Sequence, residues 1–188
     1  MSRYPKIVVG TCVVFLLVLQ LHAQTNPGPG TILETFEQQT NIILVKGFSL
    51  VGSFNVDNTT ISVDSREAND VTHGQKAYGI LVEISRAAET GGTVRGALVV
   101  DYDELDSLAN GIDYISKVTW GVTQLNGFEA SYTTRSGFRV IAHSDRRQET
   151  VNTFVQFGDG PRMPATGDQL AQLRSLITQA KASLDALK

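Results

Sequence analysis

The fold is decided by residues 94–117, whose sequence reads VRGALVVDYDELDSLANGIDYISK. In its first part, 94–102, apolar and polar residues alternate, which predicts a β-strand with Leu98 and Val100 facing inward. In its second part, apolar residues recur three and four positions apart behind an acidic start, which predicts an amphipathic helix capped by Asp103. A strand that leads into such a helix indicates a sheet covered by helices.

The rest of the chain predicts more strands and a second helix. The strand segments are rich in β-branched and aromatic residues and are bounded by turn residues. They are 42–54, 61–65, 78–86, 128–132, 138–142 and 150–157. Near the C-terminus, Leu170, Leu173 and Ile177 begin an apolar stripe at helical spacing. These patterns predict an α+β fold in which antiparallel β-sheets pack against two amphipathic helices.

The two halves of this region have the same order of parts. Alignment of Asp103-Glu104-Leu105 with Asp168-Gln169-Leu170 also places Ile112 on Ile177. This order predicts a β-β-β-α unit used twice, with the first long strand added at one edge. Unrelated halves made of a sheet and a helix would show the same order, so duplication and coincidence both stay open.

The N-terminus has the pattern of an export signal. Arg3 and Lys6 precede an apolar run over 7–21, and a cleavage site follows Ala23. This run is shorter than the about 20 apolar residues that a membrane-spanning helix needs, which favours a cleaved signal over an anchor. We therefore expect residues 1–23 to be removed, which leaves no membrane anchor. The rest divides into a flexible leader with a short helix, 24–40, and a single α+β domain, 41–188. The expected location is secreted or periplasmic.

Composition limits the classes of partner. Cys12 is the only cysteine, and it lies in the predicted signal, so the mature chain needs no disulfide. Loss of the two basic residues of the signal leaves 14 Lys and Arg against 19 Asp and Glu, a net charge of −5. We therefore expect no binding to nucleic acid or to anionic membranes, both of which need excess positive charge. Asn58 begins an N-glycosylation sequon, which matters only in a eukaryotic source.

The candidate site residues lie on and near one predicted hairpin and at the end of one strand. His143 alternates outward with Arg139 and Ile141, close to further charged residues in the chain. The candidates for proton transfer are His143, Asp145 and Asp101. The candidates for binding an anionic group are Arg139, Arg146 and Arg147. A solvated sheet face has the same composition, so this alternative stays open.

The sequence predicts no metal or cofactor. The acidic run 101–106 is not a calcium loop, because Asp106 stands where the loop needs glycine and Ile112 where it needs glutamate. After cleavage only His73 and His143 remain as imidazoles, without cysteine, so a usual structural zinc site cannot form in one subunit. Nucleotide-binding and nucleophile motifs are also missing.

Three functions are compatible with these patterns. The first is a non-catalytic exported module, for binding or envelope association, whose sheet face or hairpin contacts a protein or small-molecule partner. The second is a small secreted hydrolase with His143 as base, a carboxylate helper and an arginine clamp. The third comes from fold order alone, which is similar to that of single-strand nucleic-acid binders such as the plant Whirly family. Export and net acidity count against the third.

Overall fold

The computed structural model describes residues 30–88, 91–145, 147 and 149–188. They form two four-stranded antiparallel sheets and three helices, which confirms the α+β fold with two amphipathic helices on antiparallel strands. The predicted signal peptide and residues 24–29 of the predicted leader lie outside the described residues. None of the helices within the described ranges is both long enough and apolar enough to cross a membrane.

The first sheet consists of four strands in chain order. They are β1 (Leu44–Val56), β2 (Thr59–Asp70), β3 (Gln75–Ala87) and β4 (Thr93–Asp101). β2 is longer than the predicted segment 61–65, because β1 and β3 pair with it along its whole length. β1 forms one edge and contains a bulge between Leu50 and Gly52. Asn58, the sequon residue, is exposed in the turn between β1 and β2.

A six-residue helix, α1 (Ile32–Glu37), lies on the outer face of this sheet. A capping box between Thr31 and Glu34 begins it. Its Leu33 is 1% exposed and packs with Ala68 and Ala77. α1 therefore covers one end of the outer face of the first sheet.

The helix predicted to begin at Asp103 begins later. A short 3-10 turn, Tyr102–Glu104, follows β4 and leads into α2 (Leu105–Lys117). The N-cap residue of α2 is Glu104, without a side-chain capping bond. The prediction that Asp103 caps the helix is wrong, because its carboxylate binds Arg135 instead, 2.5 Å from Nη2.

The second sheet is built by the C-terminal half. Its strands, in spatial order, are β5 (Glu129–Thr133), β6 (Phe138–Asp145), β7 (Thr150–Phe157) and β8 (Met163–Pro164). β8 has no counterpart among the predicted strands, because two residues that include a proline give no strand pattern. The chain ends in α3 (Gly167–Asp185), which begins at a capping box between Thr166 and Gln169.

Each long helix packs on the sheet of the other half. α3 lies against β1 and β2, α2 lies against β5 and β6, and the two helices contact each other. Their buried stripes join both sheets in one apolar core. The helix residues in this core include Leu105, Leu108, Ile112, Ile115, Leu170, Leu173, Ile177, Ala180 and Leu184. Strands followed by a helix do occur twice, but the second copy has four strands where three were predicted, because β8 is added, and the two copies are interlocked.

Candidate functional site

A group of ionic side chains, which we call the Glu129 cluster, lies on the outer face of the second sheet. It consists of Glu129, Arg139, His143 and Arg162. Nη2 of Arg162 lies 2.9 Å from Oε2 of Glu129, and Nδ1 of His143 lies 3.7 Å from the same oxygen. Nη2 of Arg139 lies 3.6 Å from Oε1. One carboxylate therefore faces two guanidinium groups and an imidazole.

The cluster spans the full width of the sheet. Glu129 lies on β5 at one edge, whereas Arg162 directly precedes β8 at the other edge. On β6 between them, Ile141 points to the same outer face as its neighbours two residues away, Arg139 and His143, yet it is 0% exposed. The surrounding side chains thus cover the centre of this face, which is not simply solvated.

The Arg139 guanidinium is poorly satisfied. Its side chain is 30% exposed, and its Nη1 donates to Oε1 of Gln156 at 3.5 Å, the limit of a hydrogen bond. Its Nε is buried and has no hydrogen-bond partner among the described residues. A guanidinium has five N–H donors, so Arg139 keeps donor capacity for a further acceptor.

His143 has a different carboxylate partner from those predicted. Its side chain is 51% exposed and faces Glu129, which pairs with it in the β5–β6 register. The predicted hairpin contained this signal, because its facing residues set Glu129 opposite His143. Arg162 has no such signal, since its position beside β5 follows only from the tertiary fold.

The other predicted residues near His143 lie beyond the cluster. Asp145 ends β6, and its Oδ1 accepts a hydrogen bond from the backbone N–H of Arg147 at 2.8 Å. Arg147 is exposed in the following turn. Arg146 lies outside the described residues.

Asp101 occupies a separate structural centre. Its side chain is 2% exposed and accepts hydrogen bonds from the backbone N–H groups of Ile32 at 2.8 Å and Leu33 at 2.9 Å. Arg135 donates to it from Nη1 at 2.6 Å. Arg135, which binds Asp101, lies in the turn before β6. His143 lies on β6 roughly 17 Å from the start of that strand, at about 3.3 Å per residue. The structure therefore does not bring Asp101 and His143 together.

Arg135 forms hydrogen bonds with three carboxylates at the start of α2. Its side chain binds Asp103 and Asp101, and its backbone N–H donates to Oε1 of Glu104 at 2.9 Å. The hydrogen bond from Arg135 lowers the pKa of Asp103, and that same bond raises the pKa of Arg135 above its usual range. Burial, and then the negative charge of Glu104, raises the pKa of Tyr132 beside this group. These contacts hold α1, β4 and the β5–β6 turn in place.

The outer face of the first sheet has an exposed apolar surface at its β1 edge. Phe48 is 72% exposed and Leu50 is 63% exposed. Arg66, the β2 partner of Phe48, lies with its Cζ 5.2 Å from the centroid of the Phe48 ring. In the described part of the chain Arg66 makes no ion pair, and its buried Nε has no hydrogen-bond partner. We call Phe48, Leu50 and Arg66 the β1 patch.

An open groove of about 510 Å³ runs beside the end of α2. Asn110, Asp113, Tyr114 and Lys117 line one side of it. Lys117 is already paired with Asp113, at 2.7 Å. Within the described ranges, no group of three or more His, Cys, Asp and Glu side chains is arranged to hold a metal ion.

Comparisons with known proteins show no family for this chain. No family model matches it, and no curated protein matches it. A solved structure, that of the plant transcriptional regulator PBF-2, aligns with 78% of this chain and 88% of its own at 12% sequence identity, with a TM-score of 0.30. A likeness at this level supports no statement about function.

Proposed function

We propose that the protein is an exported, non-catalytic binding module that contacts a partner protein through the β1 patch. The observation that carries this proposal is the exposure of Phe48 and Leu50, at 72% and 63%, on the same face of edge strand β1, just before its bulge. Exposed apolar surface of this kind on a folded domain is typical of interaction sites.

The chemistry of the patch indicates what the partner presents. Full burial of a large apolar side chain contributes about 1.5–3 kcal/mol, so Phe48 and Leu50 offer a substantial driving force. We expect the partner to place a carboxylate next to Arg66, because a guanidinium that loses its water on docking needs a hydrogen-bond acceptor. β1 is also an edge strand, to which an extended segment can add. The partner segment is therefore extended and apolar, with an aspartate or glutamate.

A site-specific crosslinking experiment tests this proposal. A photoreactive amino acid is placed at Leu50 of the full chain expressed in its own host, and in a matched control at Ala171, which is exposed on α3. We expect a discrete adduct from position 50 that is absent from position 171. The adduct should weaken at least several-fold when Arg66→Gln is added, because the partner carboxylate loses its counter-ion. Equal adducts from both positions, or none from position 50, would contradict the proposal.

The hydrolase alternative rests on the pairing of His143 with Glu129 at 3.7 Å. A carboxylate can orient the imidazole of a histidine base by a hydrogen bond, which would need these two groups to move closer together. Turnover of simple esters, phosphates or glycosides by the purified mature chain, with loss on both His143→Ala and Glu129→Gln, would favour this alternative. We expect no turnover above that of a denatured sample.

Nucleic acid is not the expected partner, because the mature chain carries a net charge of −5 by the predicted cleavage. A fluorescent single-stranded oligonucleotide should give no anisotropy change at 50 mM salt, where electrostatic binding is strong. A change that salt reverses would contradict this expectation.

A further inference from the structure

We propose that the Glu129 cluster is a binding site for an oxyanion, a carboxylate or a phosphate, held mainly by Arg139. The site lies on the second sheet, so it is independent of the β1 patch and of the function proposed for it. Its basis is an excess of poorly paired positive charge around one carboxylate.

The charge of the cluster favours an anion. Arg139 and Arg162 carry two positive charges against the one negative charge of Glu129, before any protonation of His143. The chain as a whole is acidic, with a net charge of −3, so this cluster of four side chains is a local exception. An anion that reaches the cluster is therefore attracted by it, although the chain as a whole carries excess negative charge.

The hydrogen bonding of Arg139 leaves it open to a ligand. Its two contacts, 3.6 Å to Glu129 and 3.5 Å to Gln156, are long, and its buried Nε has no partner within the described ranges. Charge-assisted bonds from a guanidinium to an oxyanion are usually 2.7–2.9 Å and often paired. A bound oxyanion would supply short contacts to the Nη groups of Arg139, which the protein itself gives only long ones.

The neighbours of Arg139 shape the site. Thr133 on β5 and Gln156 on β7 flank Arg139 in register, so a hydroxyl and an amide border the guanidinium. Glu129 acts as an internal competitor, because its carboxylate has the same chemistry as the ligand and already takes the short bond from Arg162. Removal of this carboxylate should therefore strengthen binding.

Titration of the folded protein with inorganic phosphate and, separately, with succinate tests the site. The readout is the side-chain Nε–H resonance of each arginine in NMR spectra at low ionic strength. We expect a saturable shift of the Arg139 signal with a dissociation constant on the order of 1 mM, the range of a few charged hydrogen bonds. The relative affinity for the two probes shows whether phosphate or carboxylate is the preferred chemistry.

Three variants separate a built site from general charge attraction. Followed through the Arg162 signal, which both variants keep, Arg139→Gln should lower the affinity at least tenfold, whereas Arg95→Gln, an exposed arginine on the first sheet, should leave it unchanged. Glu129→Gln should raise the affinity several-fold. Backbone spectra that match the unmodified protein show that each variant is folded. No saturable shift with either probe, or an equal loss in Arg139→Gln and Arg95→Gln, would overturn the proposal.

Discussion

Arg135 and Asp101 form an ion pair between the two halves of the chain, with Nη1 of Arg135 2.6 Å from Oδ2 of Asp101. The same carboxylate caps the first turn of α1 through the N–H groups of Ile32 and Leu33. One buried side chain thus joins the N-terminal helix, the end of the first sheet and the β5–β6 turn.

Replacement of Asp101 should therefore destabilise the whole fold. Asp101→Asn keeps the shape but removes the charge, so the bonds from Arg135 and from α1 become weaker. We expect the free energy of unfolding to fall by about 2 kcal/mol, the range for hydrogen bonds to a charged group. Urea denaturation followed by circular dichroism measures this change.

Asp106→Asn is the matched control for that variant. Asp106 also lies at the start of α2, but its side chain is 75% exposed and its contact with Lys181 is 3.6 Å. We expect a change within about 0.5 kcal/mol, as for other surface substitutions. Equal effects of the two substitutions would show that Asp101 has no special role.

Acid should remove a contribution to stability from Asp70. Burial acts to raise the pKa of this carboxyl, but the bonds from the His73 side chain and from the backbone N–H groups of Thr72 and His73 outweigh it, so its pKa is lowered from 3.8. A lowered pKa means that the stabilisation is present above the unfolded value and is lost as the pH falls through the folded value.

The comparison of the unmodified protein with Asp70→Asn between pH 6 and pH 2 measures this effect. The unmodified protein should be more stable at pH 6, and its advantage should shrink progressively below about pH 4. A constant difference over this range would mean that the Asp70 pKa is the same in both states.

Gly111 should not tolerate alanine. A Cβ at this position in α2 would lie 2.7 Å from Cγ and Cδ2 of the Tyr132 ring. We expect Gly111→Ala to lower the melting temperature, because overpacking costs about 1–3 kcal/mol and exceeds the gain of about 1 kcal/mol in helix propensity. Gly167→Ala, where a Cβ would meet nothing within 4 Å, should be neutral or slightly stabilising. A gain in stability from both variants would show that the Tyr132 ring moves aside at little cost.

Export predicts a defined mature N-terminus. If the signal is cleaved after Ala23, intact mass spectrometry of the protein secreted by its own host should give a chain that begins at Gln24. A chain that still contains residues 1–23 would overturn both the cleavage and the proposed location.

The parts of the fold that the sequence predicted well are those with local causes. The stripe of Leu105, Leu108, Ile112 and Ile115 identified α2, because helical spacing acts within one element. Alternation around 135–137 identified the β5–β6 hairpin for the same reason. The N-cap of α2 was misplaced by one residue, from Asp103 to Glu104, because a distant group, Arg135, takes the carboxylate of Asp103.

The candidate site was predictable only in part. His143 and Arg139 follow from strand alternation, and Glu129 follows from the hairpin register. Arg162 enters from across the sheet, and no spacing in the chain records that approach. Asp101 was misinterpreted as a helper for His143, because its partners lie 34 and 69 residues away and convert it into a buried cap.

The exchange of helices between the two sheets ties the halves of the polypeptide to each other. The sheet of residues 44–101 receives its cover from α3, and the sheet of residues 129–164 receives its cover from α2. A fragment that stops before β5 therefore lacks α3, which covers its own sheet, and contains α2 without the sheet on which α2 packs. The fragment that ends after α2 and the fragment that begins at β5 each contain the helix that covers the other's sheet. We therefore expect the two fragments to reassemble when the protein is divided in the linker after α2, which makes this linker the place for a split reporter.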